Sequence, residues 1–339
     1  MRRWALALLG AVLAGGASAQ PSALATAPPA AVPVPAARAP HVPPTPAIEP
    51  DASLAAARFA AVATPTASPA RAVGKYARGC LAGAVELAAD GQRHQAMRLS
   101  RGRRWGHPDT VALVEDLAAR SGELGLAGIL VGDLGQARGG PLPTGHTSHQ
   151  SGLDVDVWLT PMPERRLTEA EREVTPFTSV LNADRTAVDP TRLTPAMAKL
   201  VQAAASDPRT ARVFVHPLIK RALCAMTWDD RAFLQQVRPW SGHDAHMHVR
   251  LSCPASSPAC VPQRRPPPGD GCGAPLDAWF TAAPSKPRRG ARPRQPLTLS
   301  GMPAACRTLL EAQPAAGGGD QAAAPAPTGQ PTPVPLSPQ

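Results

Sequence analysis

The chain has 339 residues and a mass of 35.1 kDa, which suits one large domain or two modest ones. Its 42 Pro and 28 Gly exceed the average of globular proteins, so part of the chain is predicted not to fold. The net charge of +10 permits an anionic partner, but nearly all of the positive charge comes from Arg, which indicates a general compositional bias as much as selection for binding nucleic acid. With one Tyr and five Phe, the sequence also excludes an RNA-recognition-type aromatic platform, and no nucleic-acid partner is expected.

The first 19 residues have the pattern of an export signal. Arg2 and Arg3 form a positively charged start, and an apolar stretch follows from Trp4 to Leu13. Ala17-Ser18-Ala19 is typical of a cleavage site. Because the apolar stretch is too short to span a bilayer comfortably, we predict a cleaved signal peptide over residues 1–19, a periplasmic location and no stable membrane insertion.

Two segments are too rich in Pro and Ala to fold. Residues 20–70 contain twelve Pro and eighteen Ala, and such a segment cannot bury enough side-chain area to offset its loss of entropy. We therefore predict a disordered tether over residues 20–72 and, from the same composition, a disordered tail over residues 307–339. One folded domain remains, over residues 73–306.

The folded domain is predicted to mix helices and strands. In chain order, the patterns predict a helix from Pro108, strands over Gly128–Val131 and Leu153–Leu159, a helix over Thr194–Ala205, a strand over Val213–Val215, helices over Pro217–Cys224 and Asp229–Val237, and a strand over His246–Leu251. The fold class is α+β: a small antiparallel sheet surrounded by helices and disulfide-tied loops.

All six cysteines lie in the predicted domain, at positions 80, 224, 253, 260, 272 and 306. An even number of Cys in an exported chain indicates three disulfides, and the sequence alone allows fifteen pairings. A thiolate metal site is the alternative, but no Cys-x2-Cys pair is present, so disulfides are favoured.

Five of the nine His lie in two short windows, residues 145–159 and 241–251. Each window contains a predicted strand, in which side chains alternate between two faces. In the first strand Asp154, Asp156 and Trp158 share one face, and in the second His246, His248 and Arg250 do. The apolar residues between them point the other way, toward a core.

If the two strands are neighbours, two carboxylates and two imidazoles converge on one face. His149 lies on the loop before the first strand, where Gly152 can turn it back over that face. Two imidazoles and one carboxylate hold zinc with one position left open. Spacing alone does not separate Asp154 from Asp156 as the carboxylate ligand.

The chain resembles the penicillin-insensitive murein endopeptidases. The resemblance is carried by Gly145-His146-Thr147-Ser148-His149 through Asp156, by Gly242 through Arg250, and by shorter segments at 104–108, 131–134 and 238–240. These enzymes belong to a wider group of zinc peptidases with the lysostaphin-type enzymes, the D-Ala-D-Ala carboxypeptidases and the Hedgehog domain.

The resemblance implies roles for individual side chains. The zinc ligands are His149, Asp156 and His248, and Asp154 is a group that orients a ligand. His246 is the general base. His146 and His243 flank the site and stabilise the transition state or support the ligands, and His146 is also a candidate ligand of a second metal ion. The implied disulfides are Cys80–Cys306, Cys224–Cys272 and Cys253–Cys260.

The implied reaction is hydrolysis of the D-Ala to meso-diaminopimelate cross-links of peptidoglycan by zinc-bound water, without inhibition by penicillin. The alternatives are a D,D-carboxypeptidase of the same group and a catalytically silent zinc or cell-wall binding module. Arg250 is either a partner of a substrate carboxylate or a surface residue, and Trp158 either a substrate wall or a sheet-edge residue. The oligomeric state stays open, a homodimer included.

Overall fold

The computed structural model describes residues 54–281 and 296–315. The predicted signal peptide, residues 20–53 of the tether and residues 316–339 of the tail lie outside this range. The described helices are α1 (Ala55–Ala60), α2 (Pro108–Glu123), α3 (Glu169–Val174), α4 (Pro195–Ser206), α5 (Pro217–Ala225), α6 (Ala274–Thr281) and α7 (Ala304–Glu311). The described strands are β1 (Arg71–Lys75), β2 (Arg78–Ala82), β3 (Val85–Glu86), β4 (His94–Ala96), β5 (Trp105–Gly106), β6 (Ile129–Val131), β7 (Asp154–Pro161), β8 (Thr210–Val215), β9 (Val237–Pro239) and β10 (His246–Leu251). Among these helices, none is both long enough and apolar enough to cross a membrane.

Six of these strands form one mixed sheet in the order β4-β6-β7-β10-β8-β9. Its four central strands pair antiparallel, which confirms the antiparallel sheet predicted around the two His-containing windows. β4 and β9 join the edges in parallel, so the sheet is wider and more mixed than predicted. The two strands with the site residues, β7 and β10, lie at its centre.

One face of β7 and β10 belongs to the main hydrophobic core. Val155 and Val157 of β7 and Val249 of β10 are fully buried there. The apolar sides of α2 and α4 contribute to the same core, as their helical spacing predicts. Both helices begin with a Pro behind a capping side chain, His107 for α2 and Thr194 for α4.

The segment from Asp229 to Val237 does not form the predicted helix. A short 3-10 turn covers Ala232–Gln235, and Val237 begins the edge strand β9. Pairing with β8 satisfies the backbone of β9, and Phe233 is buried in the main core. Tertiary pairing therefore overrides the local pattern.

The folded domain extends beyond both predicted boundaries, Val73 and Cys306. α1 lies within the predicted tether and buries Phe59, and α7 continues into the predicted tail and buries Leu309. Both side chains belong to a second hydrophobic cluster. The composition of residues 20–70, taken as an average, does not reveal this extension. Residues 51–64 contain no Pro and can form a helix, whereas the Pro-rich run before them cannot.

Three disulfides tie the domain together, two across long stretches of sequence and one within a short loop, and they are the three pairs that the resemblance implies. Cys80–Cys306 connects β2 to α7 across 226 residues of sequence. Cys224–Cys272 connects the end of α5 to the loop before α6. Cys253–Cys260 closes a short loop directly after β10.

Candidate metal centre

The register of β7 and β10 determines which side chains meet. Asp156 lies opposite His248, and Trp158 lies opposite His246. Asp154 lies opposite Arg250. Because paired residues share a face of the sheet, the structure brings together the two carboxylates and two imidazoles that the alternation predicts.

His149 reaches this face from the loop before β7. Its φ of 65° is left-handed, and Gly152, three residues later, has a φ of 73°. A Cβ on Gly152 would lie 2.3 Å from the Leu81 side chain, so both the backbone and the available space favour glycine. The Nδ1 of His149 donates a hydrogen bond to the Leu134 carbonyl at 2.8 Å. Its Nε2 is thereby aimed at Asp156, 3.4 Å from Oδ1.

Four side chains form a cluster at this point. His146, His149, Asp156 and His248 each offer a ligand atom, and these atoms lie within 4.8 Å of one another. Asp156 links the other three: its Oδ1 is 3.2 Å from His248 Nδ1, and its Oδ2 is 3.2 Å from His146 Nε2. His146 therefore reaches the same set of atoms as the three ligands that the resemblance implies.

Two buried atoms of the cluster lack partners among the described residues. Within the described ranges, His149 Nε2 and Asp156 Oδ1 are shielded from solvent and make no hydrogen bond. An unsatisfied buried polar atom costs about 1–3 kcal/mol, and a cation bound between these atoms would remove that cost. Imidazole and carboxylate are ligands of zinc, and no thiolate competes, because all six Cys are in disulfides. The cluster therefore fits a metal ion.

Hydrogen bonds distinguish Asp154 from Asp156. Oδ1 of Asp154 accepts from His248 Nε2 at 2.8 Å and from Arg250 Nε at 2.7 Å. Its Oδ2 accepts from the backbone N–H of His149 at 3.1 Å. Burial opposes the charge, but Arg250 and His248 hold the pKa of Asp154 well below its usual range. Asp154 thus orients the His248 side chain, holds the backbone of His149, and leaves His248 Nδ1 facing Asp156.

The electrostatics of the cluster also suit a cation. Burial disfavours charge on both His149 and Asp156, but the attraction between them dominates. As a result, the pKa of His149 rises to about 9, and the pKa of Asp156 falls well below its usual value. The site therefore holds a permanent negative charge that a proton or a metal ion can balance.

Two more imidazoles lie beside the cluster. His246 is 5% exposed, its Nε2 is 3.6 Å from Asp156 Oδ1, and neither ring nitrogen has a hydrogen-bond partner in the described part of the chain. The ring centre of His243 is 4.8 Å from that of His246, and its Nδ1 donates to the Ser241 carbonyl at 3.0 Å. Burial lowers the pKa of both, and His246 helps to lower that of His243 to about 4.

One wall of the site was not predicted from the sequence. Phe177, in the loop after α3, is 48% exposed, with its ring centre 5.1 Å from that of His246 and 5.0 Å from that of Trp158. Arg98 holds this loop by donating hydrogen bonds to two carbonyls at the C-terminal end of α3. A single aromatic residue in a polar loop has no periodicity, so no local signal marks Phe177.

The two side chains that the sequence left open are both buried. Trp158 is 4% exposed beneath Phe177, so it supports the wall of the site. Arg250 is 9% exposed, with Nε bound to Asp154 and Nη1 bound to Gln263. Arg250 is therefore part of a buried ion pair that supports the cluster through Asp154.

Two clefts meet at His146. The narrow cleft has a volume of about 180 Å³ and is lined by Asp156, His246, Phe177 and Arg101, among others. The wide groove has a volume of about 970 Å³ and continues from His146 past Thr147 and Gln150 to Lys75 and Arg78. An extended ligand can therefore enter the site from two directions.

Comparisons with known proteins agree with the resemblance. A family described as penicillin-insensitive murein endopeptidase matches residues 72–311. Proteins named penicillin-insensitive murein endopeptidase from Escherichia coli strain 55989 and Salmonella arizonae are 41% identical to this chain over 260 residues. The one from Salmonella heidelberg strain SL476 is 40% identical over the same length. Each alignment covers 77% of this chain and 93% of the relative. The chain therefore belongs to the penicillin-insensitive murein endopeptidase family.

Proposed function

We propose that this chain is an exported zinc endopeptidase that hydrolyses the bond between D-Ala and meso-diaminopimelate in peptidoglycan cross-links. The observation that supports it most directly is the convergence of four ligand atoms within 4.8 Å, two of them buried without a partner in the described residues. The names of the relatives supply the substrate class, since murein is the polymer that they are named for.

His149 Nε2, Asp156 Oδ1 and His248 Nδ1 are the proposed zinc ligands, and His146 Nε2 is the closest further candidate. Bound zinc would lower the pKa of a coordinated water to about 7 and polarise the scissile carbonyl. Asp154 would keep His248 in the tautomer that leaves Nδ1 free, through the hydrogen bond at Nε2.

His246 is the proposed general base. It lies next to the ligands, and its ring nitrogens have no hydrogen-bond partner among the described residues, so they can take a proton from the attacking water and deliver it to the leaving amine. His243 and His146 lie on either side of it and would stabilise charge that develops on the scissile carbonyl oxygen. Because water is the nucleophile, no acyl-enzyme forms, and a β-lactam has no serine to acylate.

A D,D-carboxypeptidase is the nearest alternative. It needs room for one terminal residue beyond the cleaved bond, whereas two clefts meet at His146 here. That geometry favours a substrate that continues on both sides of the bond. A silent binding module is less well supported, because a pure metal site does not need an imidazole beside it that, like His246, has no hydrogen-bond partner in the described part of the chain.

The proposed location is the periplasm. The signal peptide would direct export of the chain and would then be cleaved after residue 19. Three disulfides support this location, since disulfides persist in oxidising compartments. Peptidoglycan peptides are the proposed partner.

The test uses the full chain from Gln20, with its metal content measured, and a purified cross-linked muropeptide dimer. Mass spectrometry is expected to show two monomers formed with uptake of one water, with and without benzylpenicillin. The reaction should stop on treatment with a chelator and in His248→Ala. Release of a terminal Ala from an otherwise intact dimer would indicate the carboxypeptidase, and no product from zinc-loaded protein would contradict the proposal.

A further inference from the structure

Two guanidinium groups, those of Arg98 and Arg101, line the narrow cleft beside the metal cluster. Asp133 lines the cleft and faces two guanidinium groups, with Arg103 Nη1 at 2.8 Å and Arg101 Nη1 at 3.3 Å. Arg98 lines it as well and bonds to carbonyls that carry no net charge. The other carboxylate in the cleft, Asp156, belongs to the metal cluster. With Asp156 bound to a metal ion, Asp133 would be the other carboxylate that lines the cleft opposite these two guanidinium groups, and an anionic group would then suit the cleft.

Arg101 is the cation with free hydrogen-bonding capacity. Arg103 is 8% exposed, and its second terminal nitrogen is bound to Thr144. Arg101 is 47% exposed, and within the described residues only its Nη1 makes a side-chain hydrogen bond, to Asp133 at 3.3–3.4 Å. Its Nη2 and Nε remain for a ligand, and a guanidinium fork matches the two oxygens of a carboxylate.

The proposed substrate has a carboxylate at a suitable position. In the cross-link, the nitrogen of the scissile amide is attached to a carbon of meso-diaminopimelate that also bears a free carboxylate. The D-Ala side has no such group, because its own carboxyl carbon is the scissile carbonyl. A cleft of about 180 Å³, room for about six waters, accepts a group of this size.

We propose that the narrow cleft binds this carboxylate and that Arg101 is its specificity residue, an inference that rests on the proposed function. The arrangement places the leaving nitrogen beside His246, which also lines the cleft and would return its proton to that nitrogen. The D-Ala side of the substrate then extends along the wide groove. Arg101 would thus bind the part of the substrate that carries the leaving amine and thereby set the direction in which the substrate lies in the site.

The test compares two cross-linked dimers that differ at one position, where the carboxylate next to the scissile nitrogen is either free or converted to a carboxamide. We expect the wild-type chain to cleave the free acid with a kcat/KM about 10–100-fold higher, the usual range for hydrogen bonds to a charged group. Arg101→Met should reduce this ratio to near one, mainly through KM. Arg101→Lys should keep part of it, because Lys supplies the charge without the fork.

The control is Arg120→Met, which removes an exposed Arg of α2 that pairs with Glu123, outside both clefts. Zinc content and thermal unfolding of each variant establish that the fold and the metal site are intact. A wild-type chain that cleaves both dimers equally, or an Arg101→Met chain that keeps the wild-type preference, would overturn the inference and leave the endopeptidase proposal standing. A zinc-loaded wild-type chain that cleaves neither dimer would overturn both.

Discussion

The two faces of the β7–β10 strand pair are equally buried, yet they affect the protein in opposite ways. On the core face, Val157 and Met247 are completely buried among apolar side chains. On the site face, Asp156 and His246 are 4% and 5% exposed and have polar atoms without partners in the described residues. Burial of apolar area stabilises a fold by about 25 cal/mol per Å², whereas each orphaned polar atom costs about 1–3 kcal/mol. The core face thus stabilises the fold, whereas the site face destabilises it and presents polar atoms that can bind a ligand.

Substitutions of neighbouring residues on one strand can separate the stabilising effect from the chemical one, because neighbouring side chains point to opposite faces of the sheet. Burial by itself is a poor guide to what a residue contributes. The partners of its polar atoms decide whether burial stabilises the fold or prepares a site for a ligand. Four substitutions in this strand pair test the contrast, and a fifth, at Lys220, tests a buried polar group elsewhere in the fold.

The largest effect is expected for Asp156→Ala. Loss of the central carboxylate removes the proposed metal site, and kcat/KM for the cross-linked dimer should fall at least about 10³-fold. The wild-type melting temperature should rise with zinc, since a ligand at 1,000 times its Kd adds about 4 kcal/mol of stability. Asp156→Ala should show no such rise. A variant that keeps the wild-type zinc response would remove Asp156 from the metal site.

The second effect compares Met247→Ala with His246→Ala. Met247 is fully buried on the core face, and its truncation should lower the free energy of unfolding by about 2–5 kcal/mol, as for other buried Met→Ala changes. His246→Ala should cost less than half as much and abolish hydrolysis, because the lost imidazole made no hydrogen bond with the described residues. Urea unfolding of both metal-free variants measures the difference. Equal destabilisation would mean that the two faces do not differ energetically.

The third effect concerns Asp154→Asn, which keeps the shape of the side chain and removes its charge. Because Asp154 orients His248 and the backbone of His149, zinc affinity should fall about 10–100-fold, the usual effect of disturbing a residue that supports metal ligands. Competition with a chelating dye measures it. Asp184→Asn, in an exposed loop, is the matched control. Unchanged affinity in Asp154→Asn would contradict the orienting role.

The smallest effect concerns Lys220, a buried cation outside the site. Its Nζ donates to the carbonyls of Leu234 and Asp270, and burial lowers its pKa from 10.5 to about 7, with Arg238 and Arg231 acting in the same direction and Asp270 against it. Between those values the unfolded chain binds more protons than the folded chain, so stability should rise with pH from 7 upward. Lys220→Met should flatten this rise, as measured by chemical unfolding from pH 7 to pH 9. The exposed Lys199→Met is the control, and an unchanged slope in Lys220→Met would contradict the assignment.

Local periodicity explains why the site was largely predictable. Alternation alone assigned Asp154, Asp156, His246 and His248 to one face, and the register of β7 and β10 agrees. The separate roles of the two Asp residues depend on hydrogen bonds to Arg250 and to the loop at His149, which spacing does not encode.

The features that were missed depend on tertiary contacts. Phe177 and Arg101 reach the site from separate loops, and neither belongs to a periodic segment. α1 was missed because composition was averaged over a segment in which only the first part is rich in Pro. β9 was predicted as the end of a helix because its backbone partners lie in β8, outside the local pattern.

The Cys80–Cys306 bond has a mechanical consequence for the molecule. A force that pulls on the two ends of the chain passes from β2 to α7 through this one covalent bond. The chain between the two cysteines, which includes every residue of the metal cluster, lies outside that path. The covalent path of the tension therefore passes around the backbone of β7 and β10, and the disulfide acts as a bypass when the ends of the chain are pulled.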